Sequence, residues 1–136
     1  MATYYGNASY YELCNGSNGA CAGFGYPCDN NQNHLAWPRL PQTGCYRNCA
    51  SVPNRECGKF MYITSQCSGD TSKWGQIRDC CTCDEAGCIL RPRCNGSIVW
   101  DSQYSSPMID CTRALFIALA GDLADGRIPV KVSYWD

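Results

Sequence analysis

Histidine, charge and long apolar runs are scarce in this 136-residue sequence, and each scarcity argues against a class of function. His34 is the only histidine and lies in no recognisable motif, so a Ser-His-Asp or Cys-His catalytic arrangement has little support. Charged residues make up 17% of the chain, the formal net charge is −1, and lysine and arginine form no run. We therefore expect neither a nucleic-acid partner nor attachment to an anionic membrane.

The sequence also lacks a Gly-rich phosphate loop and any stretch long enough to span a bilayer. The longest apolar run, Ala114 to Ala120, is far shorter than the roughly 20 residues of a transmembrane helix. Met1 to Thr3 lacks the basic and then apolar pattern of a signal peptide, so we expect a mature form with an added initiator methionine. The length fits one domain with a modest core, and we expect a single domain over residues 1–136.

Cysteine, by contrast, is abundant. Thirteen cysteines far exceed the usage of cytosolic proteins and indicate an oxidising compartment. Six disulfides could form, each contributing roughly 2–4 kcal/mol, with one thiol left over. Three N-glycosylation sequons, which begin at Asn7, Asn15 and Asn95, also favour secretion. We therefore expect a secreted, extracellular, disulfide-rich protein, while the spacing leaves the pairing of the cysteines open.

A zinc site is the alternative interpretation of these cysteines. The run Cys80-Cys81-Thr82-Cys83, followed by Cys88, has the short spacing of thiolate ligands. However, the sequence has no pair of regular C-x-x-C knuckles, and its one histidine is isolated among asparagines. We therefore favour disulfides, and we expect neither a metal nor an organic cofactor.

Short β-type runs between Gly-, Asn-, Ser- and Pro-containing turns predict a mainly β fold. The predicted strands are Thr3 to Tyr5, Lys59 to Thr64, Gln76 to Arg78, Ser97 to Trp100 and Ile128 to Tyr134. One helix is predicted to begin near Arg113, with Thr112 as N-cap and Gly121 as the C-terminal stop. A helix just before the last of many short strands indicates a small closed barrel, because closure removes exposed strand edges.

Several segments resemble a known superfamily of such barrels. Ile109 to Ala120, followed by Gly126 to Val132, is similar to the C-terminal half of the six-stranded double-psi β-barrels. That superfamily includes expansins, barwin-like proteins, rare lipoprotein A and family 45 glycoside hydrolases. Ala2-Thr3-Tyr4-Tyr5-Gly6 resembles the opening of expansins, Cys57-Gly58-Lys59 resembles the start of a middle strand, and Ile77-Arg78-Asp79-Cys80-Cys81 resembles a later strand end.

The resemblance implies a small six-stranded double-psi β-barrel with one or two short helices. Two features depart from the family pattern. The cysteine-rich stretch between Cys81 and Pro107 is unlike it, and Met108 stands where expansins and family 45 enzymes usually carry histidine.

The resemblance also implies a sugar-binding groove in which Asp110 corresponds to the acid of the family 45 enzymes. Those enzymes invert, which requires a carboxylic acid and a carboxylate base. Matching Thr3 and Tyr5 to the family pattern places Asn7 at the base, and an amide cannot act as an ordinary base; its sequon would instead make it a glycan carrier. Asp79 corresponds to an aspartate that often faces the same groove and could pair with Asp110. Alternatively, it is a strand-end residue that satisfies loop amides.

Sugars that lie in a shallow groove need aromatic platforms. The candidates are Tyr4, Tyr5, Tyr10, Tyr11, Trp37, Trp74 and Trp100. The residues that we assign to substrate binding are Thr3, Tyr4, Tyr5, Trp37 and Trp74. The residues that we assign to catalysis are Asp110 and Asp79.

Three functions from different classes remain open. The first is an expansin-like domain, acting as a monomer, that binds or loosens cell-wall polysaccharide of the β-glucan or cellulose type. The second is a family 45-type endoglucanase with Asp110 as general acid. The third is a barwin-like defence or effector protein that uses the scaffold to bind proteins. We favour the first because Asn7 stands where hydrolysis needs a base, although a fold alone does not fix a function.

The cysteine interpretation is testable on the purified protein. Mass spectrometry without reduction should show twelve of the thirteen cysteines bridged within the chain. Full reduction should remove most of the thermal stability, because the bridges constrain the unfolded chain. Stoichiometric zinc on four free thiolates would contradict the disulfide interpretation.

Overall fold

The computed structural model describes residues 1–11, 18–46, 51–67, 71–80, 91–99, 101–120 and 122–136. The strands of this part are β1 (Ala2–Tyr11), β2 (His34–Trp37), β3 (Arg39–Leu40), β4 (Cys45–Tyr46), β5 (Phe60–Ser65), β6 (Ser72–Cys80), β7 (Arg93–Cys94), β8 (Ser97–Ile98), β9 (Pro107–Thr112) and β10 (Ile128–Tyr134). The helix α1 spans Arg113–Ala120. Short 3₁₀ helices occupy Ala22–Phe24, Pro41–Thr43, Ser102–Tyr104 and Leu123–Asp125.

Six of these strands form a closed barrel in the order β1-β10-β5-β6-β2-β9. Two neighbouring pairs, β1 with β9 and β2 with β6, are parallel, and the other pairs are antiparallel. Strands β3 and β4 form one small separate sheet, and β7 and β8 form another. The mainly β, six-stranded closed barrel with a short helix, predicted from the sequence, is therefore confirmed.

Alternation along the strands builds the barrel core. Ile128, Val130 and Val132 of β10 are fully buried, as the alternating pattern of this strand predicts. Met61 and Ile63 meet them from β5, which pairs with β10. Residues on the other face of each strand therefore point outward, and it is on this outer face that polar and aromatic side chains are available for function.

The strand boundaries differ from the predicted ones where burial hides the alternation. β1 and β6 extend well beyond the predicted runs, and the predicted strand from Ser97 is only two residues long and lies outside the barrel. The sequence did not indicate β2 or β9. All four residues of β2 are buried, and β9 exposes only Asp110 in part, so neither strand shows a period of two.

The helix begins as predicted, and its cap also ties it to a neighbouring loop. The Thr112 Oγ1 accepts a hydrogen bond from the amide of Leu115 at 3.4 Å and donates one to the carbonyl oxygen of Gln32 at 2.6 Å. The predicted stop, Gly121, lies outside the described residues. Of the helices in the described part, none has the length and apolar character needed to cross a membrane.

Disulfides join the loops to the barrel. The described residues form Cys21–Cys57, Cys45–Cys80 and Cys67–Cys94, and Cys28 is also disulfide-bonded. Cys80, the first residue of the cluster weighed as a zinc site, is thus bonded to Cys45. The other members of that cluster, Cys81, Cys83 and Cys88, lie outside the described residues. Cys111 carries a thiol buried in the barrel.

Gly58, in the Cys-Gly-Lys segment, offers a test of this packing. Its φ is +85°, and a Cβ built on it would overlap the ring of Tyr26. Gly44 has a similar φ of +78° with open space around it. Gly44→Ala should therefore lower the free energy of unfolding by about 1 kcal/mol for backbone strain alone. Gly58→Ala should cost roughly 1–3 kcal/mol more because of the overlap.

Chemical denaturation of the two glycine variants measures this difference. Equal losses of stability in Gly58→Ala and Gly44→Ala would show that the Tyr26 ring moves aside freely.

Candidate functional site

Asp110 stands in a row of residues that crosses four barrel strands on their outer face. In β9 it follows Ile109 and precedes Cys111, both of which face the core. Strand pairing places Asp110 beside Ser9 of β1 on one side and beside Ala36 of β2 on the other. Ala36 is in turn paired with Asp79 of β6. The register therefore brings the two predicted acidic residues to the same side of the barrel, one strand apart.

The environment of Asp110 favours its protonated form. Burial raises the pKa of this carboxyl to about 6, and the nearby negative charge of Asp79 also raises it. A hydrogen bond that the Ser9 hydroxyl donates to its Oδ1 at 3.0 Å opposes this shift, as does the positive charge of Arg127. A half-buried acid with a pKa near neutrality can donate a proton or a hydrogen bond to a sugar oxygen.

Asp79 is held in a different way. Its side chain is almost fully buried, and its Oδ1 accepts hydrogen bonds from the amides of Ala20 and Cys80, both at 2.8 Å. These contacts match the interpretation of Asp79 as a strand-end residue that satisfies loop amides. Its charge nevertheless acts on Asp110, so Asp79 influences the site through electrostatics.

Asn7, which the resemblance matches to the family's base, is also buried. Its Nδ2 donates to the carbonyl oxygen of Tyr104 at 2.9 Å, and its backbone amide donates to the carbonyl oxygen of Ser106. The expectation that this sequon carries a glycan is therefore wrong for the folded chain, because the amide nitrogen is enclosed. The same enclosure keeps a water molecule from reaching it.

Tyr5 is a predicted aromatic residue on the same face of β1 as Ser9. It is half exposed, and its ring meets that of Tyr104 edge-on at a centroid distance of 6.1 Å. Tyr5 and Ser9 are four residues apart on β1, so their Cα atoms are separated by roughly 13 Å. The outer face of β1 thus leads from Tyr5 to the acid beside Ser9.

Of the other predicted binding residues, Trp37 and Tyr4 do not reach this face, and Thr3 and Trp74 lie in a different row. Trp37 is fully buried and donates from Nε1 to the carbonyl oxygen of Pro53 at 2.9 Å, so its assignment as a platform is corrected: no ring face is accessible. Tyr4 points to the opposite side of β1 and stacks on Tyr134. Thr3 is partly buried on the same face of β1 as Tyr5, and Trp74 is exposed on β6, but both belong to a row that joins β1, β10, β5 and β6.

The remaining aromatic candidates are divided as well. Tyr10 packs on Phe116 of the helix at a centroid distance of 4.8 Å. Tyr11 shares the outer face of β1 with Ser9, and its hydroxyl lies 3.4 Å from the Sγ of Cys28. Trp100 lies outside the described residues.

Sequence reasoning missed Ser9 and Arg127 as neighbours of Asp110. Ser9 is four residues after Tyr5, so it would share a strand face with Tyr5 if the strand were extended to Tyr11. The predicted strand ended at Tyr5. Arg127 stands in the Gly-Arg-Ile-Pro segment of the resemblance, but nothing local indicates that its charge acts on Asp110.

The site stands on a closed six-stranded barrel with two parallel strand pairs, an arrangement that agrees with the double-psi β-barrel that the sequence resembles. No protein-family model matches the sequence, and no curated protein matches it. Among solved structures, it is similar to a mutant of the GH45 endoglucanase EG27II in complex with cellobiose, at 13% identity and a TM-score of 0.49. The match covers 97% of this chain and 82% of that one, and it assigns neither substrate nor activity here.

The raised pKa of Asp110 predicts how stability depends on pH. Because the folded chain keeps this proton up to about pH 6 and the unfolded chain loses it near 3.8, stability should fall as pH rises between these values. Asp110→Asn removes this loss. The stability of the variant relative to the parent protein should therefore rise by about 3 kcal/mol between pH 3 and pH 7.5, measured by urea denaturation.

Removal of a carboxylate that accepts a backbone amide should instead destabilise the folded chain. The exposed Asp122 accepts from the amide of Ala124 at 2.8 Å, so Asp122→Ala should lower stability by about 1 kcal/mol at pH 7.5. A similar loss in Asp110→Asn would show that Asp110 has a capping role instead.

Proposed function

We propose that this protein is a secreted, expansin-like domain that binds and loosens cell-wall polysaccharide of the β-glucan or cellulose type, as a monomer and without appreciable hydrolysis. The observation that carries the proposal is a contrast between two residues. Asp110 is a protonatable acid, whereas Asn7, which the resemblance matches to the base, is an unreactive amide. Loosening requires hydrogen-bond exchange with sugar oxygens, which a neutral carboxyl can both donate and accept. Hydrolysis with inversion requires a second, ionised carboxylate that reaches water.

The surroundings of Asp110 support this assignment. Ser9 fixes the orientation of the acid, and Arg127 supplies an exposed positive charge nearby. Tyr5 offers a half-exposed ring on the same strand face, where the apolar side of a sugar can pack. These groups together form a shallow polar surface with one aromatic platform, as suits an extended, uncharged polymer.

A family 45-type endoglucanase is the second candidate. The pKa of about 6 at Asp110 and the nearby charge of Asp79 favour it, because they resemble the pair of carboxyls that such hydrolysis uses. Against it, Asp79 is almost fully buried, and the Oδ1 oxygen of its carboxylate already accepts two amides. Water has little access to this carboxylate, so activation of a nucleophile by Asp79 requires a change in the loop that contains Ala20.

Incubation with a panel of insoluble polysaccharides separates these functions. Pull-down of the protein together with greater extensibility of cellulose-containing wall material, without released reducing ends, supports loosening. Reducing ends that disappear in Asp110→Asn support the hydrolase. Absence of both binding and release would leave the barwin-like, protein-binding function.

Loosening should depend on pH through Asp110. Because the protonated form is active, extensibility should fall as pH rises through about 6. Ser9→Ala removes a hydrogen bond that stabilises the ionised form, so its pH profile should shift to higher pH. Asp110→Asn should lose loosening at every pH, whereas the control Asp122→Asn, on the exposed surface, should match the parent protein. A profile that stays flat in the parent protein would contradict the role of Asp110.

A further inference from the structure

Three aromatic rings in mutual contact, together with Phe60 on the same face of β5, form a patch on the outer face of the barrel, which we call the far-face cluster: Phe60, Tyr62, Trp74 and Trp135. The ring of Tyr62 lies 4.9 Å from that of Trp74 and 5.8 Å from that of Trp135, centroid to centroid. Trp74 and Trp135 are 5.7 Å apart. Phe60 shares the outer face of β5 with Tyr62, two residues away.

The far-face cluster lies on the side of the barrel opposite Asp110. In the closed order of strands, β5 is three positions away from β9 in either direction. Tyr62 is on β5, and Trp74 is its cross-strand partner on β6. Asp79 is also on β6 but lies five residues beyond Trp74, roughly 16 Å along the strand. A polymer chain bound along the Asp110 row therefore does not also cover the far-face cluster along β6.

The cluster is exposed, although residues of this kind are normally buried. Trp74 is 49% exposed, Trp135 56% and Phe60 53%. Contiguous exposed apolar patches on soluble proteins mark binding surfaces. The small residues beside the cluster carry hydroxyls: Thr3 is hydrogen-bonded to Ser133, and Ser72 to Thr64. Aromatic faces bordered by hydroxyl groups suit sugar rings, which have apolar faces and polar edges.

Charge and area distinguish the possible occupants. The carboxylate of Asp136, next to Trp135, accepts both terminal nitrogens of Arg55 and lies 3.5 Å from the Nζ of Lys59. The Asp136 carboxylate offsets one of these two positive charges, and the four ring side chains are themselves uncharged, which favours an uncharged ligand. Four side chains of this size expose at most a few hundred Å². A stable protein interface uses about 800 Å² on each partner, so a second copy of the chain fits this area less well than a few sugar units.

We propose that the far-face cluster is a second glycan-binding site, which takes an uncharged β-linked glucan on the side of the barrel opposite Asp110. The proposal rests on the proposed function in its choice of ligand. A domain with two binding faces holds one polymer chain at the Asp110 row and a second at the cluster. Binding to the wall and loosening of the wall are then carried by different surfaces and can be separated by substitution.

Binding isotherms of the full chain on insoluble cellulose and calorimetric titration with cellohexaose test the site. Trp74→Ala and Trp135→Ala should each weaken binding about tenfold, because each removes a ring that stacks on sugar. Trp135 follows the last barrel strand, so its removal leaves the strand pairing intact even if Trp74→Ala disturbs β6. The matched control is Phe24→Ala, which removes a similarly exposed ring, 44% exposed, from a 3₁₀ helix.

Repeating the titrations in the Asp110→Asn background separates this proposal from the proposed function. The far-face proposal is supported if that variant still binds cellulose and then loses binding in Asp110→Asn/Trp135→Ala. It is overturned if Trp74→Ala and Trp135→Ala bind as tightly as the parent protein or no worse than Phe24→Ala. It is also overturned if analytical ultracentrifugation reveals a dimer that Trp135→Ala abolishes, since a second copy then occupies the cluster. If the parent protein does not loosen walls while the tryptophan variants still lose binding, the proposed function is wrong and the far-face site stands. If Asp110→Asn still loosens walls, only the role proposed for Asp110 is wrong.

Discussion

Strand β9 must pair with two partners in opposite senses, and the rest of the structure depends on this arrangement. It runs parallel to β1 and antiparallel to β2, and so closes the barrel. Five of its six residues are buried, and only Asp110 reaches the surface in part. The strand continues directly into α1 through the cap at Thr112. Closure of the barrel, position of the acid and start of the helix are therefore fixed together.

The electrostatics of the site follow from that position. The pKa of Asp110 is raised to about 6, mainly because burial withholds water from the charged form of its carboxyl. The amide of Leu115, in the first turn of α1, donates to the hydroxyl of Thr112 and not to the carboxyl of Asp110. One hydrogen bond from Ser9 orients the carboxyl and only partly offsets the shift. Asp79, by contrast, is almost fully buried, and its Oδ1 accepts hydrogen bonds from two backbone amides.

Disulfides and hydrogen bonds to a buried carboxylate connect the loops outside the barrel to its strands. The Cys21–Cys57 disulfide links the loop near Ala20 to the segment that precedes β5. Cys67–Cys94 links the end of β5 to the β7–β8 hairpin, whose amides at Asn95 and Gly96 also donate to the buried carboxylate of Asp125. With a modest core, such bridges contribute much of the stability by limiting the unfolded chain. The outer faces of the strands are left available for binding on two sides.

The sequence alone determined those features whose physical cause is local. Cysteine content indicated the disulfides, and alternation along Ile128 to Tyr134 predicted the last strand, β10. Thr112 predicted the start of the helix within a few residues. Resemblance added the barrel and the place of Asp110. Burial of β2 and β9 removed the alternation that would have revealed them, so these strands became visible only in the folded chain.

Only the tertiary structure decided which of these residues meet and which of them remain exposed. Ser9 and Asp110 are separated by 101 positions in the chain, and strand register alone brings them together. Trp37 and Trp74 were equally good sequence candidates for an aromatic platform. The first is buried in β2, and the second is exposed on the outer face of β6. Register and closure depend on contacts between residues far apart in the chain, and no local pattern of residues contains that information.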